Sequence, residues 1–505
     1  MKVLLILLIF LVTNVCSGQL WYFNNIYNPN NTWSSGLSVA GCNGGYFGCT
    51  ISSDSISGYY YSTCTFRING DGEIQSWKCF GKTGYDYYPG YYGSMIASTN
   101  SYLLFGSVND LASGLSKGIL YKFNSTGDTL FTKCFTSDTY NRLIGRTTAE
   151  TWDYGFALLG EVSEWSNYSN LVLIRTDSLG NELWRSHYGT DIDENANSII
   201  QTPDYGFVFG CWSRIPGINN TADPLIFKTD SLGNLEWSLN LGGPYKDDKA
   251  MVCNTHDSCI MVLTAYADSM LTPEFAYTRI NLIKIDLNGD TIWNKKYGPS
   301  KPINFVSNII LKPSAGFLLC GHSMIEPTVP HAGWIMEVDS SGDSLWYRDY
   351  YYYPSGPDQS LNYLYDLSIT SDNGIVGVGQ AYTAYPPNNT QKMWVLKVDS
   401  IGCEFPNCWV GMEEHGGAGA REDGKVVLFP NPADDKITIS AGNTGFGEME
   451  EVSIYNNMGI LLKRHRPDKQ SEFRMDVSGL PAGIYFIQVK GNQNASCVRK
   501  LVVGR

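Results

Sequence analysis

The stretch Arg175-Thr-Asp-Ser-Leu-Gly180-Asn-Glu-Leu-Trp184 belongs to a pattern that recurs through most of the chain. Three further clear copies begin at Lys228, Lys284 and Glu337, and weaker copies centre on Gly72, Gly127 and Gly402. The turn glycines stand at positions 72, 127, 180, 233, 289, 342 and 402, so that neighbouring copies lie 53 to 60 residues apart. A fixed period of this size indicates a repeat architecture.

Each copy contains the signals of two β-hairpins. Asp-x-x-Gly predicts a tight turn, because the Asp side chain bonds the backbone that follows it and Gly accepts a positive φ angle. Apolar runs such as 171–174 and 182–184 flank the turn, and a second strand pair precedes it, as in Asp153-Tyr-Gly-Phe-Ala-Leu-Leu-Gly160. Four strands in roughly 50 residues are typical of one blade of a β-propeller.

Two known propeller repeats are similar to this pattern. The Gly-x-x-x-Trp half resembles the tryptophan-docking repeat of pyrroloquinoline-quinone propellers, and the whole turn resembles the Asp-box hairpin of sialidases. Two residues separate Asp from Gly here, against three and one in those families. We take the resemblance as an indication of fold, which does not carry function. The glycine before each tryptophan predicts an indole lying flat on backbone and buried between neighbouring blades.

The two ends of the repeat region predict the number of blades. The copy around Gly402 lacks a strand with a tryptophan, whereas Leu20-Trp-Tyr-Phe-Asn-Asn-Ile-Tyr27 resembles Leu183-Trp-Arg-Ser-His-Tyr188. With Trp21 as the seventh aromatic residue, we expect this first strand to complete the last sheet and leave no open edge. An open solenoid or two sandwiches are alternatives, but neither requires complementary ends. The expected fold is all-β, with a seven-bladed β-propeller over 19–410 followed by a small immunoglobulin-like β-sandwich.

The beginning of the chain predicts export. Lys2 precedes an apolar run of about eleven residues, which is typical of a signal peptide and too short to span a bilayer. We predict a signal peptide over 1–18, and Cys16 leaves a lipoprotein as an alternative. No later segment of the sequence is long and apolar enough to cross a membrane.

The charge of the chain disfavours two classes of partner. The formal net charge is −13, and residues 425–505 carry 11 Lys+Arg against 8 Asp+Glu, which leaves −16 for the remainder. An acidic body of this kind argues against nucleic acid and against anionic lipid surfaces.

The cysteines suit an oxidising compartment, since 13 are present and 12 remain once the signal peptide is removed. Local spacing makes four bridges candidates: Cys42–Cys49, Cys64–Cys79, Cys253–Cys259 and Cys403–Cys408. No pair has the Cys-x-x-Cys spacing of a zinc site.

The composition changes near the end of the chain. Residues 411–424 are small, polar and Gly-rich, which predicts a flexible linker, and about seven short strands follow in 425–505, which is typical of a small β-sandwich. Four motifs stand in order there: Leu428-Phe-Pro430-Asn431-Pro432-Ala433, Val452-Ser-Ile-Tyr-Asn-Asn-Met-Gly459, Leu480-Pro-Ala-Gly483-Ile-Tyr485 and Lys500-Leu-Val-Val503.

These motifs resemble the type A C-terminal sorting domain of the type IX secretion system. The resemblance implies two partners, the secretion translocon and a surface sortase. It also implies removal of the domain, followed by attachment to surface lipopolysaccharide or release. The expected location is secreted, either anchored to the outer membrane at the cell surface or extracellular. Pro430 and Pro432 fix an extended entry, and Gly459 and Gly483 permit tight turns. An ordinary immunoglobulin-like module is the alternative.

No catalytic motif stands out. The six histidines include no metal-binding spacing, and there is neither a Gly-x-Ser-x-Gly elbow nor a P-loop. Asp286-Leu-Asn-Gly-Asp290 has some likeness to a calcium loop but lacks its final glutamate, which favours a plain hairpin. We therefore expect no catalytic residue, no metal and no cofactor.

A candidate ligand face follows from the blade topology, which places the loops after the tryptophan strands around the central channel. Two loops are rich in tyrosine, which suits sugar or protein binding, and two are acidic. The candidate residues are Tyr85, Tyr87, Tyr88, Tyr91, Asp191, Asp193, Asp247, Asp248, Tyr351 and Tyr352.

Two functions remain open at this point, together with the possibility that these are solvated loops with structural tyrosines. The favoured one is a non-catalytic scaffold that binds glycan or protein. The alternative is a hydrolase or lyase acting on polysaccharide, which requires two of the loop carboxylates to converge at a separation of about 5–10 Å.

Overall fold

The computed structural model describes most of the chain. The described residues are 22–28, 33–53, 60–98, 101–164, 168–189, 192–214, 222–272, 275–298, 303–314, 316–324, 331–352, 360–383, 390–404, 426–430, 433, 435–441, 449–456, 461–467, 470–481, 483–491 and 496–503. The predicted signal peptide and linker lie outside these ranges. Within them every regular element is a strand, and no helix could cross a membrane.

The strands of the repeat region pair mostly with their neighbours in sequence. In chain order they are β1 Phe23–Tyr27, β2 Ser34–Cys42, β3 Gly45–Ser53, β4 Tyr61–Asn69, β5 Ile74–Phe80, β6 Tyr85–Tyr88, β7 Met95–Ser98, β8 Ser101–Asp110, β9 Ser116–Asn124, β10 Thr129–Phe135, β11 Arg142–Glu150, β12 Phe156–Ser163, β13 Asn170–Thr176, β14 Glu182–Tyr188, β15 Asp193–Gln201, β16 Phe207–Arg214, β17 Ala222–Thr229, β18 Leu235–Asn240, β19 Met251–Asn254, β20 Ile260–Met270, β21 Ala276–Ile285, β22 Thr291–Tyr297, β23 Ile303–Lys312, β24 Gly316–Met324, β25 His331–Asp339, β26 Ser344–Tyr350, β27 Ser360–Ile369, β28 Ile375–Thr383 and β29 Lys392–Val398.

Antiparallel pairing joins these strands into successive four-stranded groups. The groups β2–β5, β15–β18 and β19–β22 are separate sheets. Single parallel bridges link β9 to β11 and β25 to β27, so the groups β11–β14 and β23–β26 belong to larger sheets. Strand β6 adds to the group that contains β7–β10 by pairing with β8.

The first strands of the groups form a closed circle. Contacts run from β2 to β7, β11, β15, β19, β23 and β27, and from β27 back to β2. At the outer edge, β1 pairs antiparallel with β29, from Phe23 opposite Lys397 to Tyr27 opposite Met393. The predicted pairing of the first strand with the last repeat is therefore confirmed, and β29 is covered on both sides.

The glycine–tryptophan pattern joins one group to the next. A Cβ on Gly233 would lie 2.6 Å from the ring of Trp184, which belongs to the preceding repeat, and Tyr188 donates a hydrogen bond of 2.7 Å to the Gly233 carbonyl. Each indole thus packs on the glycine of the following hairpin, as it also does for Trp293 on Gly342. We call this combination, an aromatic ring on the turn glycine and a tyrosine hydroxyl bonded to its carbonyl, the glycine clamp. The hydroxyls of Tyr297 and Tyr350 bond the carbonyls of Gly342 and Gly402 in the same way.

Strand β1 forms the glycine clamp on Gly72, but the aromatic ring is that of Phe23 and not that of Trp21. Phe23 lies against Gly72, where a Cβ would be 2.8 Å from the ring, and Tyr27 bonds the Gly72 carbonyl. Tyr27 follows Phe23 by four residues, as Tyr188 follows Trp184. The sequence assignment of Trp21 to this place was wrong by two residues, and Trp21 itself lies outside the described residues.

Residues after 425 form two sheets around one core. The strands are β30 Val426–Phe429, β31 Lys436–Ala441, β32 Met449–Asn456, β33 Leu461–His465, β34 Glu472–Asp476, β35 Gly483–Gly491 and β36 Ser496–Val503. One sheet has the order β30-β31-β34 and the other β33-β32-β35-β36. Ile439 and Ile487, one from each sheet, share a hydrophobic core, so the seven expected strands are present.

One candidate disulfide is formed, two are not, and one lies partly outside the described residues. Cys64 and Cys79 face each other across β4 and β5 and are bonded. Cys403 is also disulfide-bonded, whereas Cys408 is not among the described residues.

The proposed bridges Cys42–Cys49 and Cys253–Cys259 were wrong, since all four of these thiols are free. Strand register is the reason: Cys42 stands opposite Gly45 and Cys253 opposite Met261. Closeness in sequence around a turn does not bring two side chains face to face.

Candidate functional site

We call the seven strands that form the circle, β2, β7, β11, β15, β19, β23 and β27, the circle strands. Five of them carry a β-bulge. In each, one extra residue interrupts the register with the next strand. A bulge re-aims the side chain of the extra residue and is over-represented next to binding and active sites. The extra residues are Leu37, Arg146, Asn197, Ser307 and Tyr365.

Residues 89–94, which we call the axial segment, run through the centre of this circle. The Tyr91 amide donates to the Arg146 carbonyl at 2.7 Å, and the Gly93 amide donates to the Leu37 carbonyl at 3.0 Å. A Cβ on Gly93 would approach the Asn308 amide nitrogen to 2.8 Å. The segment therefore contacts β2, β11 and β23, and Gly93 is required there by close approach as well as by its φ of 64°.

Two cations surround the aromatic rings of the axial segment. Lys249 Nζ donates to the Tyr91 hydroxyl at 3.1 Å and lies 5.1 and 4.9 Å from the ring centres of Tyr91 and Tyr92. The Arg146 guanidinium lies 5.9 Å from the Tyr91 ring centre. A cation near an aromatic ring is attracted by the negative face of the ring.

Each cation also has an acidic partner. Arg146 makes a two-pronged ion pair with the buried Glu161, with N–O distances of 2.9 and 2.8 Å. Burial disfavours the charge of Lys249, but Asp248 and the two tyrosines outweigh it and raise the pKa of Lys249 above its ordinary value. The charges at the centre of the circle are therefore approximately balanced.

The far side of the axial segment packs on β27. The rings of Tyr92 and Tyr365 are stacked, with centroids 3.9 Å apart and planes 3° from parallel. Next to them, Asp366 accepts hydrogen bonds from Ser38 Oγ at 2.7 Å and from Asn308 Nδ2 at 2.6 Å. Burial raises the pKa of Asp366 to about 6 even though these donors lower it.

We call Tyr91, Tyr92, Arg146, Asp248, Lys249 and Tyr365 the axial cluster. It offers flat rings with hydrogen-bond donors and acceptors, and Tyr91, Tyr92, Arg146 and Asp248 are partly exposed. The buried side chains of Asn197 and Ser307, both bulge residues, have polar atoms with no hydrogen-bond partner in the described part of the chain. Within that part, no group of three His, Cys, Asp or Glu side chains could hold a metal ion.

Of the ten residues predicted to bind a ligand, two belong to this cluster, namely Tyr91 and Asp248. Tyr85, Tyr87 and Tyr88 lie instead on β6, which pairs with β8.

The remaining predicted residues occupy separate places. Asp193 accepts the Ser169 amide at 2.9 Å, and the buried Asp247 accepts the Ala267 amide at 2.5 Å. Tyr351 and Tyr352 lie near other partners, since the Tyr351 carbonyl accepts from Asn24 and the Tyr352 amide donates to Asn362. Asp191 lies outside the described residues.

The predicted site residues did not include Tyr92, Arg146, Lys249 and Tyr365, although the chain contains a signal for Arg146 and Tyr365. Gly160 and Gly379 stand beside the bulges of Arg146 and Tyr365, and a Cβ on either would collide with the inner strand, 2.5 Å from Ile144 O or 1.8 Å from Tyr363 O. A glycine inside a strand suggests a bulge or close approach of backbone. Both glycines close the apolar runs of the repeat and could have been interpreted in this way.

Of the residues named from the sorting motifs, Pro430, Gly483 and Tyr485 are fully described. Gly483 begins β35, and the Tyr485 hydroxyl donates to the Pro481 carbonyl at 2.8 Å. Lys500 lies on β36 opposite Phe486. Asn431, Pro432 and Gly459 lie outside the described residues.

Residues 427–504 match the family model of the secretion system C-terminal sorting domain. The chain is also similar to the ulvan lyase NLR42 of Nonlabens ulvanivorans, 32% identical over 78 residues, which are 15% of this chain and 14% of that protein. The chain thus matches far less than two thirds of that relative's length.

Two solved structures are similar in shape. The polysaccharide lyase Uly1 has 10% identity and a TM-score of 0.45, covering 77% of this chain and 94% of that one. An ulvan lyase of family PL25 has 10% identity and a TM-score of 0.41, covering 76% and 96%. At this level of identity neither says what this chain binds.

The sorting domain indicates export by the type IX secretion system to the cell surface or the extracellular space.

Proposed function

We propose that this protein is a non-catalytic, glycan-binding scaffold presented outside the cell. In this proposal residues 19–410 form a seven-bladed β-propeller, 411–424 a flexible linker, and 425–505 an immunoglobulin-like sorting domain that the surface sortase removes. The closed circle of first strands and the pairing of β1 with β29 support the blade number.

The observation that carries the proposal is the environment of Tyr91. Tyr91 is a partly exposed residue, and Lys249 and Arg146 lie 5.1 and 5.9 Å from the centre of its ring. Tyrosine presents a flat apolar area with a polar tip at little cost in conformational entropy, which suits the faces and hydroxyls of sugars. Because Glu161 and Asp248 offset the two cations of the cluster and the body is acidic, we favour a glycan without strong negative charge.

The enzymatic alternative receives less support from the carboxylates that motivated it. Asp193 and Asp247 accept backbone amides of two different segments, and Asp248 accepts the Val306 amide at 3.2 Å. Carboxylates that accept hydrogen bonds from the backbone of different segments are not arranged as an acid and a base on either side of one glycosidic bond.

Affinity electrophoresis in gels containing neutral polysaccharides (xylan, laminarin and mannan) tests the proposal. We expect the exported protein to be retarded in at least one gel, and Tyr91→Ala to weaken binding at least tenfold. Tyr168→Ala is the matched control, since Tyr168 is 55% exposed and lies outside the axial cluster. Equal retardation of wild type and Tyr91→Ala, or release of reducing ends during incubation, would contradict a non-catalytic site at Tyr91.

Processing of the tail is tested separately by mass spectrometry of the protein recovered from the cell surface or the medium. We expect its C-terminus to fall within 411–424. Recovery of peptides from 425–505 in the mature surface form would contradict removal of the domain.

A further inference from the structure

A cleft lies at the other end of the circle strands from the axial segment. It follows the last residues of β11 and β15, whereas the axial segment leads into the beginning of a circle strand. Its volume is about 530 Å³, within the range of roughly 300–1,000 Å³ of small-ligand sites. Trp152, Gln201, Tyr205 and Ser231 line it, together with the Asp153–Arg175 ion pair.

Two exposed aromatic rings form a corner in this cleft. Trp152 is 51% and Tyr205 58% exposed, and their ring centroids are 4.8 Å apart with planes at 75°. Rings of this size are normally buried, so their exposure at a concave site points to a ligand.

One buried side chain joins the backbones of the two turns that carry these rings. The Gln201 amide oxygen accepts the Trp152 backbone amide at 2.9 Å, and its nitrogen donates to the Tyr205 carbonyl at 3.1 Å. The two aromatic turns come from neighbouring groups of strands, so Gln201 fixes the corner across the boundary between them. A binding site prepared in this way loses less entropy when a ligand binds.

The backbone at Tyr205 is unusual for its residue type. Tyr205 has φ of 67°, in the left-handed region that bulky residues rarely adopt. In another repeat the same turn position holds Asn373, with φ of 60°, which tolerates this conformation far better. The turn therefore tolerates tyrosine, which also stands at Tyr154 with φ of 65°, but does not require it.

We infer that this cleft is a second glycan site, which stacks one sugar ring on Trp152 or Tyr205. Asp153 is already neutralised by Arg175, so the lining presents hydrogen-bonding groups without net charge. The Asp153 side chain is 68% exposed and can accept hydrogen bonds from sugar hydroxyls, while the aromatic corner would cover the apolar face of a pyranose. A neutral sugar chain matches this combination of groups. The inference does not depend on the axial cluster.

The test uses the exported protein in the same xylan, laminarin and mannan gels. We expect Trp152→Ala and Tyr205→Asn each to weaken retardation at least tenfold in one of them. Tyr154→Asn is the matched control, because Tyr154 is 70% exposed with φ of 65° but does not line the cleft. We expect Tyr205→Asn to unfold at the same temperature as wild type or higher, since Asn suits that backbone conformation, so a loss of binding would not reflect misfolding.

Binding that survives both Trp152→Ala and Tyr205→Asn, or no retardation of wild type in any of the gels, would overturn the inference. The result is distinguishable from failure of the axial site. Sensitivity to Trp152→Ala with insensitivity to Tyr91→Ala supports the cleft alone, and the reverse pattern supports the axial cluster alone.

Discussion

Single glycines decide how neighbouring repeats meet. Trp184, Trp293 and Trp346 each occupy space that a Cβ on the next turn glycine would take, at 2.5 to 2.7 Å. A tyrosine four residues after each tryptophan then bonds the carbonyl of that same glycine. The spacing seen in the sequence thus encodes a contact between repeats as well as a turn within one.

Replacing Gly233 by Ala tests this contact. The φ of 82° disfavours any Cβ, and the added methyl meets Trp184, so we expect a loss of about 3 kcal/mol in the free energy of unfolding. Gly298→Ala is the control, because Gly298 has a φ of 80° with nothing within 4 Å of the added Cβ. We expect the control to lose about 1 kcal/mol. Equal losses in urea denaturation would show that the tryptophan contact contributes nothing.

At the scale of elements, ion pairs connect the two hairpins within a repeat. The basic residue two positions before the turn aspartate pairs with the aspartate of the preceding turn, as in Arg175–Asp153, Lys228–Asp204 and Lys397–Asp372. In one repeat the charges are exchanged, and Lys312 pairs with Glu337. The ion pair is present even where the acidic and basic residues have exchanged places. The fold therefore uses the link between the two hairpins, whichever hairpin carries the positive charge.

Lys228→Met should reveal the strength of this connection. Lys228 is fully buried and its Nζ lies 2.8 Å from Asp204 and 2.7 Å from Glu236. We expect a loss of about 2 kcal/mol in the free energy of unfolding, the usual effect of removing hydrogen bonds to charged groups. Lys78→Met removes the exposed pair with Asp128 and should leave stability unchanged. An unchanged midpoint for Lys228→Met would refute the structural role.

Asp366 joins three circle strands and makes their packing depend on pH. It lies on β27 and bonds Ser38 of β2 and Asn308 of β23. Burial raises its folded pKa to about 6, above the unfolded value of about 3.9. The folded state therefore binds more protons between these values, and the contribution of Asp366 to stability increases as pH falls from 7 to 5.

Comparison with Asp366→Asn isolates this effect, because Asn does not titrate. We expect wild type to gain roughly 1 kcal/mol in free energy of unfolding relative to the variant between pH 7 and pH 5. Chemical denaturation at both pH values measures the difference. If wild type instead lost stability relative to the variant between pH 7 and pH 5, the carboxyl of Asp366 would be ionised in the folded state at pH 5.

The sequence could predict the strands and the closing of the circle, because the Asp-x-x-Gly turns and the alternation around them are local signals. It could not predict the axial cluster. Tyr91 and Lys249 are 158 residues apart and meet because one loop enters the centre of the circle, which periodicity does not specify. The sequence comparison misplaced Trp21 because it aligned the tryptophans. The aromatic residue that packs on the glycine stands four positions before the tyrosine that bonds the glycine carbonyl, and before Tyr27 this residue is Phe23.

At the scale of the whole molecule, β1 and β2 join residues of β29 that are 370 and 359 positions away. Trp394 Nε1 donates to the Asn24 side chain at 2.7 Å, and Ser34 Oγ accepts the Met393 amide at 3.0 Å. Removal of the predicted signal peptide would leave β1 at the extreme end of the exported chain, where a strand is held only if its partner is available. The pairing of β1 with β29 thus adds a second connection between the two ends of the repeat region, beside the contact of β2 with β27.

Hydrogen–deuterium exchange of peptides covering residues 23–27 measures this pairing most directly. We predict that these amides exchange as slowly as those of Glu182–Tyr188, the corresponding outer strand in the interior of the chain, because both strands are hydrogen-bonded to a partner. Complete exchange of residues 23–27 within seconds, with β14 still protected, would show that the first strand is free and does not complete the sheet of the last repeat.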